Sequence, residues 1–367
     1  MKFVFWQNII SIHQSAFLKA LANKHDVTLI VEQSIKENRK VQGWNIPVMN
    51  KIKIIIAPEI IQINELLDNN SIHIFSGINA FPLTTKVFKL AVKKKLRIGV
   101  MLEPFQWIGF KGKLRWIKYL ILRLRYKLKI NFILTTGNKG YNQYKLVGFC
   151  ENDIFEWGYF IDPLISPISL SKKENRNIKP SVLFVGRIDK NKNIDLLTKL
   201  IIKHYKLIEK FTIIGDGPHN EHLQSIIKDL KYIDYKGVLT NSEVQKLMHE
   251  YDILILPSQY DGWGAVVNEA LIAGTPVIAS ENCGAADLLD GQIRGEKFYF
   301  SGKNNLESVL TKWLLYGKVP LKNRKIIQDW STKNISGESA SNYFIQIVDF
   351  NNDNSVIRPV APWLVIE

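Results

Sequence analysis

Cysteine is scarce in this sequence of 367 residues. The two cysteines, Cys150 and Cys283, lie far apart, and neither has the neighbouring Cys or His residues that a zinc site requires. Two isolated cysteines also cannot build a disulfide framework. The sequence therefore excludes a small domain held together by disulfides, and we expect a reducing compartment.

Long apolar runs are also missing. No stretch approaches the roughly 20 apolar residues that cross a bilayer, so we expect membrane association to be peripheral at most. The apolar start of the chain, Met1 to Trp6, is too short for a signal peptide and is typical of a first strand. These features predict a cytoplasmic protein, peripheral at the inner face of the plasma membrane.

Acidic residues are outnumbered. The chain has 49 Lys and Arg residues against 34 Asp and Glu residues, which gives a net charge of +15. Such a surplus favours anionic partners: nucleic acid, acidic lipid or phosphorylated ligands. General basicity that only aids solubility is the alternative, and charge alone does not choose between these readings.

Strand-length apolar runs alternate with amphipathic segments of helix length, which predicts an α/β protein with parallel sheets. The chain length fits two such domains. We expect a first domain at 1–160, a polar and Pro-punctuated linker at 161–179 and a second domain at 180–334. We expect residues 335–367 to form a C-terminal helix and tail, which can pack back on the first domain. The predicted strands are 3–6, 27–31, 52–57, 72–75, 98–102, 132–135, 182–185, 211–214, 253–256 and 276–279.

A basic pair follows the first strand of the second half. Gly186 and Arg187 come directly after this strand, and Lys192 precedes a helix. In open α/β sheets ligands bind at the carboxyl ends of strands, beside helix N-termini that attract anions. Arg187 and Lys192 are therefore candidate phosphate ligands, with a solvated basic loop as the alternative. The next strand ends in Gly215-Asp216-Gly217, which allows close approach of a ligand or forms a plain turn.

The third motif is a strand, a glycine-bounded loop and a helix. Gly262 and Gly264 flank Trp263, and the amides from Gly264 to Val267 form the N-terminus of the helix, where a diphosphate could dock. Glu269 lies one turn further on and can accept hydrogen bonds from a ribose. A second acid, Asp261, lies in the loop.

Together these motifs resemble the retaining family-four glycosyltransferases. The family has a Gly-Arg…Lys motif followed by two acids eight positions apart, matched here by Arg187 with Lys192 and by Asp261 with Glu269. The resemblance covers roughly 181–287. It implies the GT-B fold, in which two Rossmann-like α/β domains face each other across a cleft.

The resemblance also implies roles for these residues. Arg187 and Lys192 would bind the donor diphosphate and neutralise the leaving group, Glu269 would bind the ribose, and Asp261, in place of the family's usual Glu, would lie by the donor sugar. Donor-binding positions would also include the following: Gly186, Gly215, Asp216, Gly217, Gly237, Val238, Gly262, Trp263, Gly264, Ala265 and Val266. The segment Gly237-Val238 would line the base. No metal or other cofactor is required, since the two cations supply the charge.

Two residues of the first half are candidates for acceptor or cleft contacts. His13 lies at the start of a helix, where the family often has a Gly-rich loop, and a structural role is the alternative. Glu103 follows the strand 98–102 and lies at its carboxyl end.

The segment 111–129 contains no acidic residue. At about 100° per residue it forms an amphipathic helix. We expect its Leu and Ile arc to pack on the sheet and its basic and aromatic sector to bind an anionic membrane surface. The expected arc comprises Leu114, Ile117, Leu120, Ile121, Leu124 and Leu128, flanked by Arg115, Lys118, Arg125 and Lys129, with Trp116, Tyr119 and Tyr126 alongside.

The favoured hypothesis is a retaining glycosyltransferase. It would move a sugar from a nucleotide-diphosphate donor, UDP-linked by preference, to a lipid-linked or oligosaccharide acceptor in bacterial-type surface polysaccharide or glycolipid synthesis. One rival is a nucleotide-sugar epimerase of similar two-domain build. A basic nucleic-acid-binding protein is the other rival, and it is disfavoured because the basic stretch is an amphipathic helix.

Overall fold

The computed structural model describes residues 1–35, 46–106, 109–162, 178–353 and 355–365. The expected linker at 161–179 therefore lies largely outside the described residues. The described chain forms two compact units. The first unit comprises the described residues up to Ile161 and those from Asn334 onward, and the second comprises the described residues from Asp162 to Lys333.

The first unit is built on a seven-stranded parallel sheet in the order β3-β2-β1-β4-β5-β6-β7. The strands are continuous apolar runs because helices cover both faces of a parallel sheet. They are β1 (Lys2–Gln7), β2 (Asp26–Val31), β3 (Lys53–Ile56), β4 (Ser71–Ser76), β5 (Arg97–Leu102), β6 (Phe132–Thr136) and β7 (Ile154–Trp157).

In the described part of the first unit, five helices connect these strands. Leu67, Phe88, Leu122 and Tyr144, which lie on or beside four of the helices, join one hydrophobic core on the sheet. The helices are α1 (Ile12–Ala22), α2 (Ile60–Leu66), α3 (Pro82–Lys93), α4 (Gly109–Tyr126) and α5 (Gly137–Val147).

The second unit has a six-stranded parallel sheet in the order β10-β9-β8-β11-β12-β13. Its strands are β8 (Ser181–Val185), β9 (Lys210–Ile214), β10 (Ile233–Tyr235), β11 (Ile253–Leu256), β12 (Val277–Ser280) and β13 (Gly295–Phe298). Its helices are α6 (Ile194–Lys203), α7 (Asn220–Ile227), α8 (Asn241–Met248), α9 (Ala265–Ile272), α10 (Leu306–Tyr316) and α11 (Leu321–Asn334).

A buried ion pair fixes the base of the second sheet. Arg324 donates to Asp252 at 2.7 Å, and both side chains are almost fully buried. The other Asp252 oxygen accepts from the amide and hydroxyl of Ser181, each at 2.9 Å. The pair is therefore hydrogen-bonded on all sides, which a buried charge requires.

The last helix, α12 (Gly337–Asn352), belongs to the first unit. It begins at the N-cap Ser336, whose hydroxyl accepts from the Ser339 amide. Its fully buried Phe344 lies 5.2 Å from Phe3 and 5.3 Å from Phe17, measured between ring centroids. The end of the chain therefore completes the core that the start of the chain begins.

All ten strands expected from the sequence are confirmed, with ends that differ by a residue or two. The α/β architecture with parallel sheets is confirmed as well. Three short strands, β7, β10 and β13, were not predicted. Each lies at the edge of its sheet, where a strand needs no continuous apolar run.

The expected packing of the segment 111–129 is wrong. Helix α4 buries Leu122 and Tyr126 and packs Trp116 and Tyr119 against the core, so the aromatic sector faces the sheet. The Leu and Ile arc faces solvent instead, with Leu120 at its half-buried margin. Its exposed members, with their exposed fractions, are Leu114 (51%), Ile117 (47%), Ile121 (57%), Leu124 (62%) and, beyond the helix end, Leu128 (90%). Among the described residues no helix is long and apolar enough to span a bilayer.

Candidate functional site

Three loops at the carboxyl end of the second sheet are joined through their backbones. The Gly186 amide donates to Ile214 O at 3.0 Å, and the Ile188 amide donates to Asp216 O at 3.0 Å. The Gly215 amide donates to Gly237 O at 2.8 Å. The loops that follow β8, β9 and β10 therefore form one continuous polar surface.

The two glycines after β9 are there because this packing is tight. Gly215 has φ +131°, and a Cβ atom on it would lie 2.0 Å from Gly186 O. A Cβ atom on Gly217 would lie 2.3 Å from Ile188 O. Any other residue would push the two loops apart. Between them Asp216 is exposed, and its carboxylate accepts from the Gly217 amide at 2.7 Å.

Lys192 and Asp261, predicted from separate motifs, form an ion pair. Lys192 Nζ lies 2.6 Å from Asp261 Oδ2, and about four-fifths of each side chain is buried. The other Asp261 oxygen accepts from the Trp263 amide at 3.3 Å. A cation and a carboxylate are thus held at one point between β8 and β11, which are neighbours in the sheet.

The loop that carries Lys192 is shaped by polar side chains. Asp189 Oδ1 accepts from the Lys192 amide at 2.9 Å, and Asn191 donates to Tyr260 O at 2.9 Å. Asn193 has φ +54°, a left-handed conformation that Asn tolerates, and it forms the N-cap of α6. Arg187 lies nearby with its side chain 58% exposed, 3.5 Å from Asp189.

Helix α9 begins at Gly264 without a side chain that caps its first turn. Gly264 has φ +90°, and a Cβ atom there would lie 2.5 Å from Cys283 Sγ, so this position also requires glycine. The half-buried Ala265 and Val266 follow, after the half-buried Gly262 in the loop. Their backbone amides occupy the first turn of the helix, where N–H groups have no partner within the helix and attract an anion.

Trp263 was expected to bind the donor, and the structure contradicts a role for its side chain. The indole is only 2% exposed, and its Nε1 donates to the buried Asn268 Oδ1 at 2.7 Å. The carbonyl oxygen of Trp263 accepts from the Cys283 thiol and the Ala285 amide, both within 2.8 Å. Trp263 therefore anchors the loop, because its ring is buried in the core and its single N–H group has a hydrogen-bond partner there.

Glu269 lies on the first turns of α9 and is only 7% exposed. Burial raises its pKa to about 7, against an opposing effect of Asn241, which donates to Glu269 Oε1 at 2.8 Å. Asn241 is the first residue of α8 and was missed from the sequence. The signal was available, since Thr240 and Glu243 form the capping box that starts this helix.

The segment expected to line the base lies shortly before Asn241, the hydrogen-bond partner of this carboxylate. Gly237 has φ +65° and open space where a side chain would be, and Val238 is exposed. The following residues Thr240 and Asn241 lead to Glu269 through the hydrogen bond described above. The carboxyl ends of β10, β9, β8 and β11, four consecutive strands of the sheet, thus carry the predicted residues of the second unit.

The carboxyl end of the second sheet thus offers two cations, the amides at the start of a helix and a buried carboxylate. The cations and amides can hold a diphosphate, and the carboxylate can accept hydrogen bonds from hydroxyl groups. Within the described ranges, no group of three or more His, Cys, Asp or Glu residues is arranged to hold a metal ion.

The two candidates of the first unit, His13 and Glu103, are connected through a residue that sequence reasoning missed. Tyr159 stacks on the His13 ring, with centroids 4.9 Å apart and planes 2° apart. Its hydroxyl donates to Glu103 Oε1 at 2.8 Å. No sequence signal links the three, because they follow three different strands.

Known proteins resemble this chain in sequence. Residues 168–326 match the family model "Glycosyl transferases group 1". A sulfoquinovosyl transferase of Arabidopsis thaliana is 28% identical over 44% of this chain and 29% of its own length. An alpha-monoglucosyldiacylglycerol synthase of Acholeplasma laidlawii is 28% identical over 48% of this chain and 46% of its own length. The chain thus spans less than half the length of either relative.

The fold has solved counterparts as well. The structure of Anabaena HepE in complex with UDP superposes with a TM-score of 0.67 at 11% identity, over 95% of this chain and all of that one. A likeness at this identity concerns the fold, whereas the match to the family model rests on the sequence of the second unit. Residues 168–326 are therefore similar in sequence to the glycosyltransferases of group 1, and the chain has the GT-B fold.

Proposed function

We propose that this protein transfers a sugar, with retention of configuration, from a nucleotide-diphosphate donor to a lipid-linked or oligosaccharide acceptor. The donor is a UDP-sugar, and the product belongs to a surface polysaccharide or glycolipid. The observation that carries the proposal is the Lys192–Asp261 ion pair beside the uncapped start of α9. The UDP complex of the structurally similar HepE and the glycolipid synthase among the relatives support the choice of donor and acceptor.

In the proposed reaction the bond between the anomeric carbon and the diphosphate oxygen breaks. The acceptor oxygen bonds to that carbon, and the acceptor proton leaves with the released nucleotide diphosphate. Lys192, Arg187 and the amides of Ala265 and Val266 stabilise the charge that develops on the diphosphate. Glu269 holds the ribose. Asp261, fixed by Lys192, lies by the donor sugar.

The substitutions Lys192→Ala and Glu269→Ala test these roles. Each is expected to lower the rate of sugar transfer or donor hydrolysis at least tenfold, a loss of about 1.4 kcal/mol of transition-state stabilisation. Lys190→Ala is the matched control, because Lys190 is an exposed lysine of the same loop. The donor is found by screening nucleotide sugars for thermal stabilisation. Near-normal rates in correctly folded Lys192 and Glu269 variants would refute the site.

The proposal includes catalysis without a metal ion. Arg187 and Lys192 supply the positive charge that a divalent cation provides to a leaving phosphate in other enzymes. The rate is therefore expected to be the same with and without EDTA. A rate that falls in EDTA and recovers with Mg²⁺ or Mn²⁺ would overturn this part.

We further propose that α4 attaches the protein to an anionic membrane surface. Its exposed Leu and Ile arc lies opposite the side that packs on the core, and basic residues flank it: Lys113 and Lys127 on one side, Lys118 and Arg125 on the other. An apolar stripe between rows of cations suits the interface of an acidic leaflet, where each cation contributes on the order of 1 kcal/mol. The acceptor would then be met at the membrane.

Vesicle binding tests this attachment. The protein is expected to bind acidic vesicles in a salt-sensitive manner, and the double substitution Ile121→Ser and Leu124→Ser is expected to weaken binding at least tenfold, because each change removes an apolar side chain from the bilayer. Leu315→Ser with Ile357→Ser is the matched control, since both residues are exposed elsewhere. Equal binding to neutral and acidic vesicles would refute the proposed membrane attachment.

A further inference from the structure

The loop that follows β5 is held by hydrogen bonds from α5. Gln143 of α5 bonds both backbone groups of Phe105, accepting from the amide and donating to the carbonyl, each at 2.9 Å. The Tyr144 hydroxyl donates to Glu103 O at 2.8 Å. Gln143 and Tyr144 are themselves buried. The backbone that carries Glu103 is therefore fixed from below by a rigid helix.

The side chain of Glu103 is fixed as well, although the residue is exposed. Its Oε1 atom accepts from the Tyr159 hydroxyl at 2.8 Å. The Tyr159 ring lies flat against the His13 ring at 4.9 Å, at the start of α1. Residues that follow β1, β5 and β7 are thus drawn into one cluster at the carboxyl end of the first sheet.

This arrangement differs from an ordinary surface carboxylate. An exposed Glu side chain usually exchanges among rotamers, and fixing it costs conformational entropy. A carboxylate offers about four lone-pair positions, and the Tyr159 hydroxyl uses one. The remaining positions of an exposed, oriented carboxylate are suited to hydroxyl donors. A hydroxyl ligand then binds without ordering the carboxylate itself.

We propose that Glu103, Tyr159 and His13 form an acceptor subsite in the first unit, which binds a sugar hydroxyl. Glu103 accepts the hydrogen bond from that hydroxyl, and Tyr159 is a positioning residue that holds Glu103 in place. His13 supports the Tyr159 ring by stacking. This inference rests on the proposed function, because it identifies the acceptor as a carbohydrate.

The test measures transfer to octyl β-D-glucoside, at concentrations that do not form micelles, with the donor found by the nucleotide-sugar screen. Glu103→Ala is expected to raise the KM for octyl glucoside at least tenfold, and Tyr159→Phe at least fivefold, with kcat within twofold of the wild type. Tyr159→Phe keeps the ring and its stacking and removes only the hydroxyl. The UDP dissociation constant is expected to stay unchanged in both.

Two further measurements separate positioning from a structural role. Tyr141→Phe is the matched control, because the Tyr141 hydroxyl makes the same type of bond, 2.7 Å to Glu151 Oε1, elsewhere in the first unit. Tyr141→Phe should leave the KM for octyl glucoside and the UDP dissociation constant unchanged. In a Glu103→Ala background, Tyr159→Phe should have no additional effect, since Tyr159 acts through Glu103.

Several results would overturn the subsite. These are a normal KM for octyl glucoside in Tyr159→Phe, additive effects of the two substitutions, or an equal loss of UDP affinity. A wild-type protein that turns over its donor without saturable transfer to octyl glucoside would also overturn it. A wild-type protein that binds no nucleotide sugar would instead refute the proposed function, so the two failures are distinguishable.

Discussion

Burial of the Glu269 carboxylate ties nucleotide binding to pH. In the proposed site, ribose hydroxyls donate hydrogen bonds to the ionised carboxylate. With a pKa of about 7, Glu269 takes up a proton as the pH falls through neutrality. UDP affinity is therefore expected to decrease about tenfold between pH 8 and pH 6. Isothermal titration calorimetry across this range measures the effect.

The reference for this pH profile is Glu269→Gln. The terminal phosphate of UDP also titrates with a pKa near 6, so part of any pH dependence belongs to the ligand. The Gln variant keeps the shape of the side chain and cannot ionise, and it should show only the part due to UDP. Identical profiles for the wild type and the variant would show that Glu269 does not contact the ribose.

At the same scale, the sequence indicated candidate site residues but not the contacts that surround them. Lys192 and Asp261 came from separate motifs, and the structure joins them at 2.6 Å. Trp263 could not be assigned correctly, since an aromatic between two glycines looks the same whether its ring points outward or into the core. Its direction depends on Asn268, a polar partner five residues later on α9.

Among the elements, α12 has the clearest energetic role. Phe344 packs among aromatic rings from β1, α1, β6 and β7. Phe344→Ala is expected to lower the free energy of unfolding by about 3–5 kcal/mol, through lost burial and the cavity left behind. Urea unfolding measures this, with Phe110→Ala as the control because Phe110 is 77% exposed. Similar losses in both variants would contradict the assigned role of α12.

Sequence periodicity predicted helix α4 but not the face that packs on the sheet. It identified an aliphatic arc and an aromatic sector. Both are apolar, however, and periodicity cannot say which one faces the sheet. The choice depends on tertiary partners: Tyr119 stacks on Phe105, and Tyr126 packs against Phe88 of α3. The short edge strands β10 and β13 escaped prediction because their side chains are only partly buried.

For the whole molecule, the groups that we propose to bind the nucleotide all lie in the second unit. Hydrogen exchange measured with and without UDP is therefore expected to show slower exchange in the segments 186–193, 215–217, 237–241 and 261–269. The first unit should change little. Glu269→Ala at the same UDP concentration is the control and should show weaker protection. Protection of equal size in the first unit would contradict this assignment.

The order of the chain has a consequence for biosynthesis. The residues of the second unit, up to Lys333, leave the ribosome before α12 does, yet Phe344 of α12 fills the core formed by Phe3, Phe5 and Phe17. The first unit, most of which is translated before the second, is thus completed after it. Until α12 emerges, the nascent first unit presents an open aromatic core, and transiently exposed apolar surface of this kind is prone to aggregation.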